Sequence, residues 1–344
     1  MFFLTNKIIY LINSICILAL ILSYFSPYLN PEFFWPISFF GFIFPLLYIL
    51  NIIFLLYWII NIEKYMIVNI IVLIFGIQHI DKFIGNNIQE NQKNSTKILT
   101  YNVRLLNKYK WIKENDIENK IYDFLNKENA DILCMQEYLN QNIQSKTNYE
   151  FKNYNAKRND RSNLAIYSKF PHINLVNYIS KDLSKVCIYS DLVANSDTIR
   201  VYNIHLASNW FTKSDYMFIK DPKINDPESR KSILNIIKKM KKAYVKRSKQ
   251  VIEIKKHMES SKFPVIICGD FNDTPLSFSY NTLKEGLVDS FSKSGKGIGV
   301  SFNKVFGLRI DYILHDPIFN TYNYKSYKNK LSDHYAVSCN FKIN

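Results

Sequence analysis

Glycine and proline are scarce in this 344-residue chain, at nine and ten residues, which excludes a collagen-like repeat and a proline-rich low-complexity protein. The five cysteines form no C-x-x-C pair, so neither a disulfide-dense scaffold nor a cysteine-built zinc module is available. Charge is missing from the first quarter of the chain. Residues 1–85 hold only Lys7, Lys64 and Lys82 against Glu32, Glu63 and Asp81, so the whole net charge of +15 lies in residues 86–344. A hydrophobic content of 48% is ample for a core and excludes a disordered tail. Two physically different segments are joined in one chain.

The first segment reads as a membrane anchor over residues 1–84. Residues 8–26 and 37–60 are uncharged and apolar, and a weaker run covers 65–80 before Asp81 and Lys82. About 20 apolar helical residues cross a hydrocarbon core of ~30 Å. Three transmembrane helices are therefore expected, with Trp35, Tyr57 and Trp58 as interfacial aromatics. Pro45 is compatible with the second helix, because packed membrane helices can satisfy the freed carbonyl. A cleaved signal peptide is the competing reading, but Ser-Tyr-Phe-Ser-Pro at 23–27 is a poor cleavage site. Three spans make a multi-pass protein of a bacterial inner membrane. Lys7 and Lys64 then share the cytoplasmic side and the large domain lies outside the cytoplasm, with Lys82, Lys93 and Lys97 opposing that assignment. Residues 85–97 are polar and aperiodic, and read as a linker.

Residues 98–344 read as one large α/β domain. Short runs rich in Ile, Val, Tyr and Phe at 97–103, 131–135, 164–167, 186–193, 199–206, 264–268, 310–314 and 335–341 are strand candidates. Helices are expected at 116–127, with Ile117, Ile121, Phe124 and Leu125 on one face, and at 227–257, beginning at an Asp-Pro pair. The aromatic segment 209–221 is expected as a loop that either packs on the domain or meets a lipid tail. The lysines of 229–257 read as a solvated face, with anionic backbone or headgroup binding as the alternative. The glycines of 295–299 lack phosphate-loop spacing and read as a lid or turn. Cys134, Cys187, Cys268 and Cys339 fall inside apolar runs as inert thiols.

Several strand candidates end abruptly in a carboxylate, an amide or a histidine. Such groups are costly to bury unless paired, hydrogen-bonded or metal-bound. Any one of them alone has an ordinary structural explanation; their series does not. Tyr101-Asn102-Val103, Met135-Gln136-Glu137, Asn203-Ile204-His205-Leu206, Gly269-Asp270-Phe271-Asn272, Arg309-Ile310-Asp311-Tyr312 and Ser332-Asp333-His334 occur in this order. The series resembles the endonuclease/exonuclease/phosphatase superfamily across residues 98–344.

That resemblance implies an α/β four-layer sandwich of two packed β-sheets with the site at one edge, and metal-dependent hydrolysis of phosphate esters. It makes Glu137 the main ligand of Mg2+, with Mn2+ the alternative, assisted by Asn102 and Asp333. Asp270 would align or deprotonate the attacking water, and Asn272 would hold a phosphate oxygen. His334, oriented by Asp311, would stabilise the transferring phosphoryl group, and His205 would bind a phosphate oxygen or protonate the leaving group. Whether Asp270 or His334 is the base stays open. Asn163 follows Ser162 where relatives often carry glycine, and with Arg309 it is a candidate for substrate binding. The absence of a Tyr-x-Pro-Asn segment before His205 moves the chain away from the AP-endonuclease branch. The expected function is a membrane-anchored phosphodiesterase acting on a lipid or small molecule beside the bilayer. A nuclease acting on DNA and a non-catalytic binding scaffold are the alternatives, and no protein partner is expected.

Overall fold

The computed structural model describes residues 2–343 apart from 89–91, 93, 140–146, 148, 155–162, 174–178, 181, 184, 195–196, 223–226 and 305–306. Five helices come first: α1 (Phe2–Phe25), α2 (Pro31–Phe34), α3 (Ile37–Phe42), α4 (Phe44–Ile60) and α5 (Met66–Ile77). Their patterning is inverted relative to a water-soluble bundle. Asn13 and Asn69 are buried and exchange amide hydrogen bonds of 3.1 and 2.9 Å, and Trp58 Nε1 donates to Asn13 Oδ1 at 2.7 Å. Leu11, Ile15, Leu18, Ile49, Ile53, Ile71, Ile74 and Phe75 point outward instead.

The expectation of three long spans is corrected here. Within α1, residues Asn6–Phe25 are long and apolar enough to cross a membrane, and no other helix among the described residues is both. The second apolar run breaks at Ile43 (φ −94°, ψ 9°) into α3 and the 17-residue α4, and α5 has 12 residues.

The strands follow: β1 (Ile84–Asn86), β2 (Thr96–Asn102), β3 (Ile132–Tyr138), β4 (Phe151–Tyr154), β5 (Asn163–Ser168), β6 (Cys187–Ala194), β7 (Asp197–His205), β8 (Val265–Asp270), β9 (Val288–Asp289), β10 (Lys296–Ile298), β11 (Asp311–His315), β12 (Phe319–Tyr327) and β13 (Ala336–Ile343). One sheet has the order β12-β13-β2-β3-β5-β4 and the other β6-β7-β8-β11-β9. Each contains one parallel pair, β2/β3 and β7/β8, joined by helical crossovers. Helix α6 (Ile117–Glu128) makes the first crossover; α7 (Lys213–Lys220) and α8 (Pro227–Glu259) make the second. Two short helices, α9 (Phe278–Lys284) and α10 (Ser290–Ser294), complete the chain.

Period-two alternation sorts the strand side chains into layers. Ile98, Ile132, Cys134, Val201, Ile266, Cys268, Ile313 and Val337 fill the space between the sheets. Their neighbours Leu99, Leu133 and Met135 pack under Ile117, Ile121 and Leu125 of α6, while Tyr202, Ile204 and Ile267 pack under Val251 and Ile254 of α8. The result is a helix–sheet–sheet–helix sandwich. The four cysteines expected to be inert are buried and free. Strand β12, absent from the expected set, is a sheet edge whose alternate positions are Asn, Thr and Lys, so it lacks an apolar signature.

Two further expectations change. Residues 213–220 form a helix, because Thr212 and Asp215 close a capping box at its start. The 295–299 turn and the start of the expected linker instead pair with each other, as β1 against β10.

Gly269 shows how tightly the functional end is built. Its φ is +136°, and a Cβ there would lie 2.0 Å from the Ile204 carbonyl oxygen on the adjoining strand. Gly269→Ala is expected to lower unfolding stability by about 3 kcal/mol. Urea denaturation of the full chain checks this, and a midpoint unchanged from the parent would contradict the strained, crowded backbone.

Candidate active site

The polar residues gather where strands of both sheets end together. Asn102 closes β2, and Glu137 follows the position paired with it on β3, at a register break where Glu137 takes φ 48°. On the facing sheet His205, Asp270 and Asp311 form one cross-strand row, Asp270 pairing with both of the others. His334 precedes β13 and bridges to Phe302. Just beneath, the sheets are stitched by Gln136 Nε2 donating to Asn203 Oδ1 at 2.6 Å, while Asn203 Nδ2 donates to the Met135 and Ala165 carbonyls.

Asp270 is the hub. One oxygen accepts the Asn272 backbone N–H at 2.8 Å and the other the Asn102 side-chain amide at 3.0 Å. The second oxygen also lies 3.5 Å from His205 Nε2 and 3.7 Å from His334 Nε2. Asn102 reaches Glu137 at 3.4 Å, and Glu137 lies 3.8 Å from His205 Nε2. Asn272, at φ 52°, spends one amide hydrogen on the Leu206 carbonyl.

His334 Nδ1 meets Asp311 Oδ2 at 2.9 Å, which fixes the ring so that Nε2 faces Asp270. Burial by itself would lower the imidazole pKa, but the charges of Asp311 and Asp270 and the Asp311 hydrogen bond outweigh it and raise it to about 10. Burial, with Asp270 adding to it, pushes Asp311 upward against the pull of His334. Asp333 stays below the usual carboxylate range despite burial, because His334, Arg104 and Lys304 stand against it. Arg104 Nε and Lys304 Nζ lie 3.3 and 3.0 Å from its Oδ2.

A divalent cation fits this set. The donors are hard oxygens, Glu137 and the Asn102 amide, and among the described residues no Lys or Arg pairs with Glu137. His205 Nε2 is buried without a hydrogen-bond partner beside two carboxylates, a polar atom aimed at something the fold itself does not supply. Asp270, Asp311 and His334 also cluster closely enough to hold an ion, but the His334–Asp311 hydrogen bond occupies that pair. Asp333, expected as a ligand, is already neutralised by Arg104 and Lys304.

One expectation is corrected. Arg309 is buried and forms a bidentate pair with Asp289 at 3.1 and 2.6 Å, stacked on Phe291 and Tyr312. Its guanidinium holds α10 to the sheet rather than meeting a phosphate. Asn163 opens β5 opposite Tyr138, one residue beyond Glu137, whereas Ser162 lies outside the described residues.

Several residues that shape the site escaped the sequence. Arg104 stacks over Trp111 at 4.2 Å and Lys304 over Tyr216 at 5.0 Å. Arg247, on the helix read as a solvated basic face, is buried and pairs with Asp273 at 3.0 Å. The Asp273 carboxylate in the Asp270–Asp273 run was the available signal for it. A cavity of about 520 Å³ opens from Asp270, Asn272 and His334, and Phe42 of α3 forms part of its wall.

The arrangement is that of a phosphoester hydrolase: an anchored carboxylate with two imidazoles beside it and oxygen donors that a cation fits, at the end of one cavity. Residues 251–334 match the profile of the Endonuclease/Exonuclease/phosphatase family, and residues 6–83 match a domain of unknown function (DUF8431). The matched stretch includes Asp270, Asn272, Asp311 and His334. A family protein from Bacteroides thetaiotaomicron is similar in structure, with 17% identity, TM-score 0.54, and coverage of 74% of this chain and 100% of that one. The human Nocturnin catalytic domain with bound sulfate has 15% identity, TM-score 0.53, and coverage of 75% and 97%. A mannosyl-6-phosphatase from Bacteroides thetaiotaomicron has 16% identity, TM-score 0.51, and coverage of 72% and 100%. No curated protein matches this chain.

The His334–Asp311 pair has a measurable consequence. In metal-free protein the His334 ring is expected to remain protonated through pH 8 and to titrate near pH 10, while Asp311→Asn shifts the midpoint downward. Because the folded value exceeds that of an unfolded histidine, the stabilisation is complete below about pH 6.5 and is lost as pH rises through the folded value. Imidazole NMR titration checks both, and a midpoint near that of a free histidine would contradict the coupling.

Proposed function

We propose that this protein is a membrane-associated, magnesium-dependent phosphodiesterase acting on a small or lipid phosphoester. The observation that carries the reading is that Glu137, Asp270 and His334 line one end of the cavity, with Asn102 and His205 3.0 and 3.5 Å from Asp270. Glu137 and Asn102 would hold Mg2+, whose charge when bound offsets that of the phosphate oxygens. Asp270 accepts a proton from the attacking water as the new P–O bond forms, and its carboxylate is held for this by Asn102 and the Asn272 N–H. His334, with Nδ1 committed to Asp311, presents Nε2–H to the charge growing on the phosphoryl oxygens. The opposite P–O bond breaks, and His205 gives a proton to the departing alcohol. The products are a phosphomonoester and an alcohol.

The association with a bilayer is supported by the inverted patterning of α1, α4 and α5. Helix α1 is the crossing element, with the α4–α5 pair packed beside it and a polar Asn13–Asn69–Trp58 centre between them. The Phe25 end of α1 leads into α2, which packs on α8 through Glu32–Lys249 at 3.1 Å and Trp35 beneath Lys241. Lys7 therefore lies at the opposite end. By the positive-inside rule the hydrolytic portion faces away from the cytoplasm.

Full chain in nanodiscs is expected to hydrolyse bis-p-nitrophenyl phosphate with magnesium and not after chelation. Asp270→Asn and His334→Ala are each expected to lower kcat by about 10²–10⁴-fold, and Glu137→Gln to raise the magnesium requirement as well. Turnover of Asp270→Asn within about 3-fold of the parent would contradict the assignment of the base.

A further inference from the structure

The cavity is polar at the catalytic end and around Arg247, where Ser208, Asn209, Asp273 and Thr274 also line it. Its remaining wall is built by Phe42, Phe211, Ile219, Ile236, Met240 and Tyr244, from α3, the segment before α7, and helices α7 and α8. A site for a nucleic-acid backbone would carry several Lys and Arg side chains. Here Arg247 is the one Lys or Arg among the described lining residues, and its guanidinium is engaged by Asp273, the Ala207 carbonyl and Asn209.

The apolar wall is also continuous with the N-terminal helices. Phe42 comes from the segment joining α1 to α4, and Gly41 beside it lies so close to the second part of the chain that a Cβ would come within 2.2 Å of the Leu276 carbonyl oxygen. Phe39 packs edge-on against Tyr244, itself part of the wall. Trp210, itself a lining residue, is 79% exposed, and Met217, beside the lining residue Tyr216 on α7, is 63% exposed. Apolar side chains thus run from the outer surface into the cavity and end at the catalytic cluster.

We propose that the cavity is an alkyl-chain site, completed by Phe42, and that the substrate is a membrane lipid whose phosphodiester sits at His334 and Asp270 while part of its chain lies along α8. The inference rests on the phosphodiesterase reading above and names its substrate class. The volume of about 520 Å³ falls in the range of sites that enclose a small ligand, and hydrocarbon is the material that such a wall favours over water.

The test uses full chain in nanodiscs and two p-nitrophenyl phosphodiesters differing only in the second alcohol, ethyl or dodecyl. The dodecyl ester is expected to be turned over with kcat/KM at least ~10-fold higher. Ile236→Lys, at a half-buried position that tolerates a long side chain, and separately Phe42→Lys, are expected to bring that ratio towards one. Binding is read in parallel without turnover, from tryptophan quenching by dodecyl phosphate brominated along its chain, in the parent and in Ile236→Lys. Equal kcat/KM for both esters in an active parent would overturn the alkyl-chain site and leave the hydrolase reading standing. If neither ester is cleaved, the hydrolase reading fails. In that case quenching lost in Ile236→Lys still supports the chain site, and equal quenching in both proteins overturns it.

Discussion

Four carboxylates, Glu137, Asp270, Asp311 and Asp333, are brought together at one end of a low-dielectric sandwich, and their mutual repulsion is the constraint that the surrounding structure answers. Each is compensated differently. Asp311 is paired with a buried histidine, Asp333 with an arginine and a lysine, and Asp270 with amide donors from Asn102 and the Asn272 backbone. Glu137 is left with the weakest protein partners, which makes it the place where an added cation is most favourable. The sheets cannot slide to relieve the crowding, because Gln136 and Asn203 tie one to the other directly beneath. Gly269 permits an approach to Ile204 that no other residue would allow.

The same economy of placement joins the N-terminal helices to the hydrolytic portion. Helix α2 rests on α8 through a salt bridge and a cation–π contact, α3 brings Phe42 to the cavity, and β1 adds to β10 beyond α5. A helix face counted as a solvated basic surface is therefore divided. Lys241 and Lys249 seat α2, Lys239 pairs with Asp215, and Arg247 turns inward to Asp273. The helices that carry the apolar outer surface and the helices that enclose the cavity belong to one packed unit.

Much of the fold was legible because strands with one face towards a core alternate and end where the polar residues begin. The eight expected strands are all present, with small shifts at their ends, and so are α6 and α8. Edge strand β12 was not legible, since alternate positions carry Thr321, Asn323 and Lys325, which look like a loop. The helix at 213–220 depended on a capping box rather than on apolar spacing. Arg309 was misread because adjacency to Asp311 in sequence says nothing about direction. Arg309 lies before the first residue of β11, where strand alternation does not set its direction, and it turns to Asp289.

By itself the sequence determined the order of the polar motifs, the alternation that forms two sheets, and the presence of an apolar N-terminal segment with few charges. These are local properties of spacing and composition. Tertiary structure alone decided that His334 locks onto Asp311, that Asp333 is neutralised by Arg104 and Lys304, and that the second apolar run bends at Ile43 to place Phe42 in the cavity wall. Each of those outcomes joins residues far apart in the chain. Charge compensation and packing act through space, and the partner that satisfies a buried group is set by which surfaces meet when the layers close.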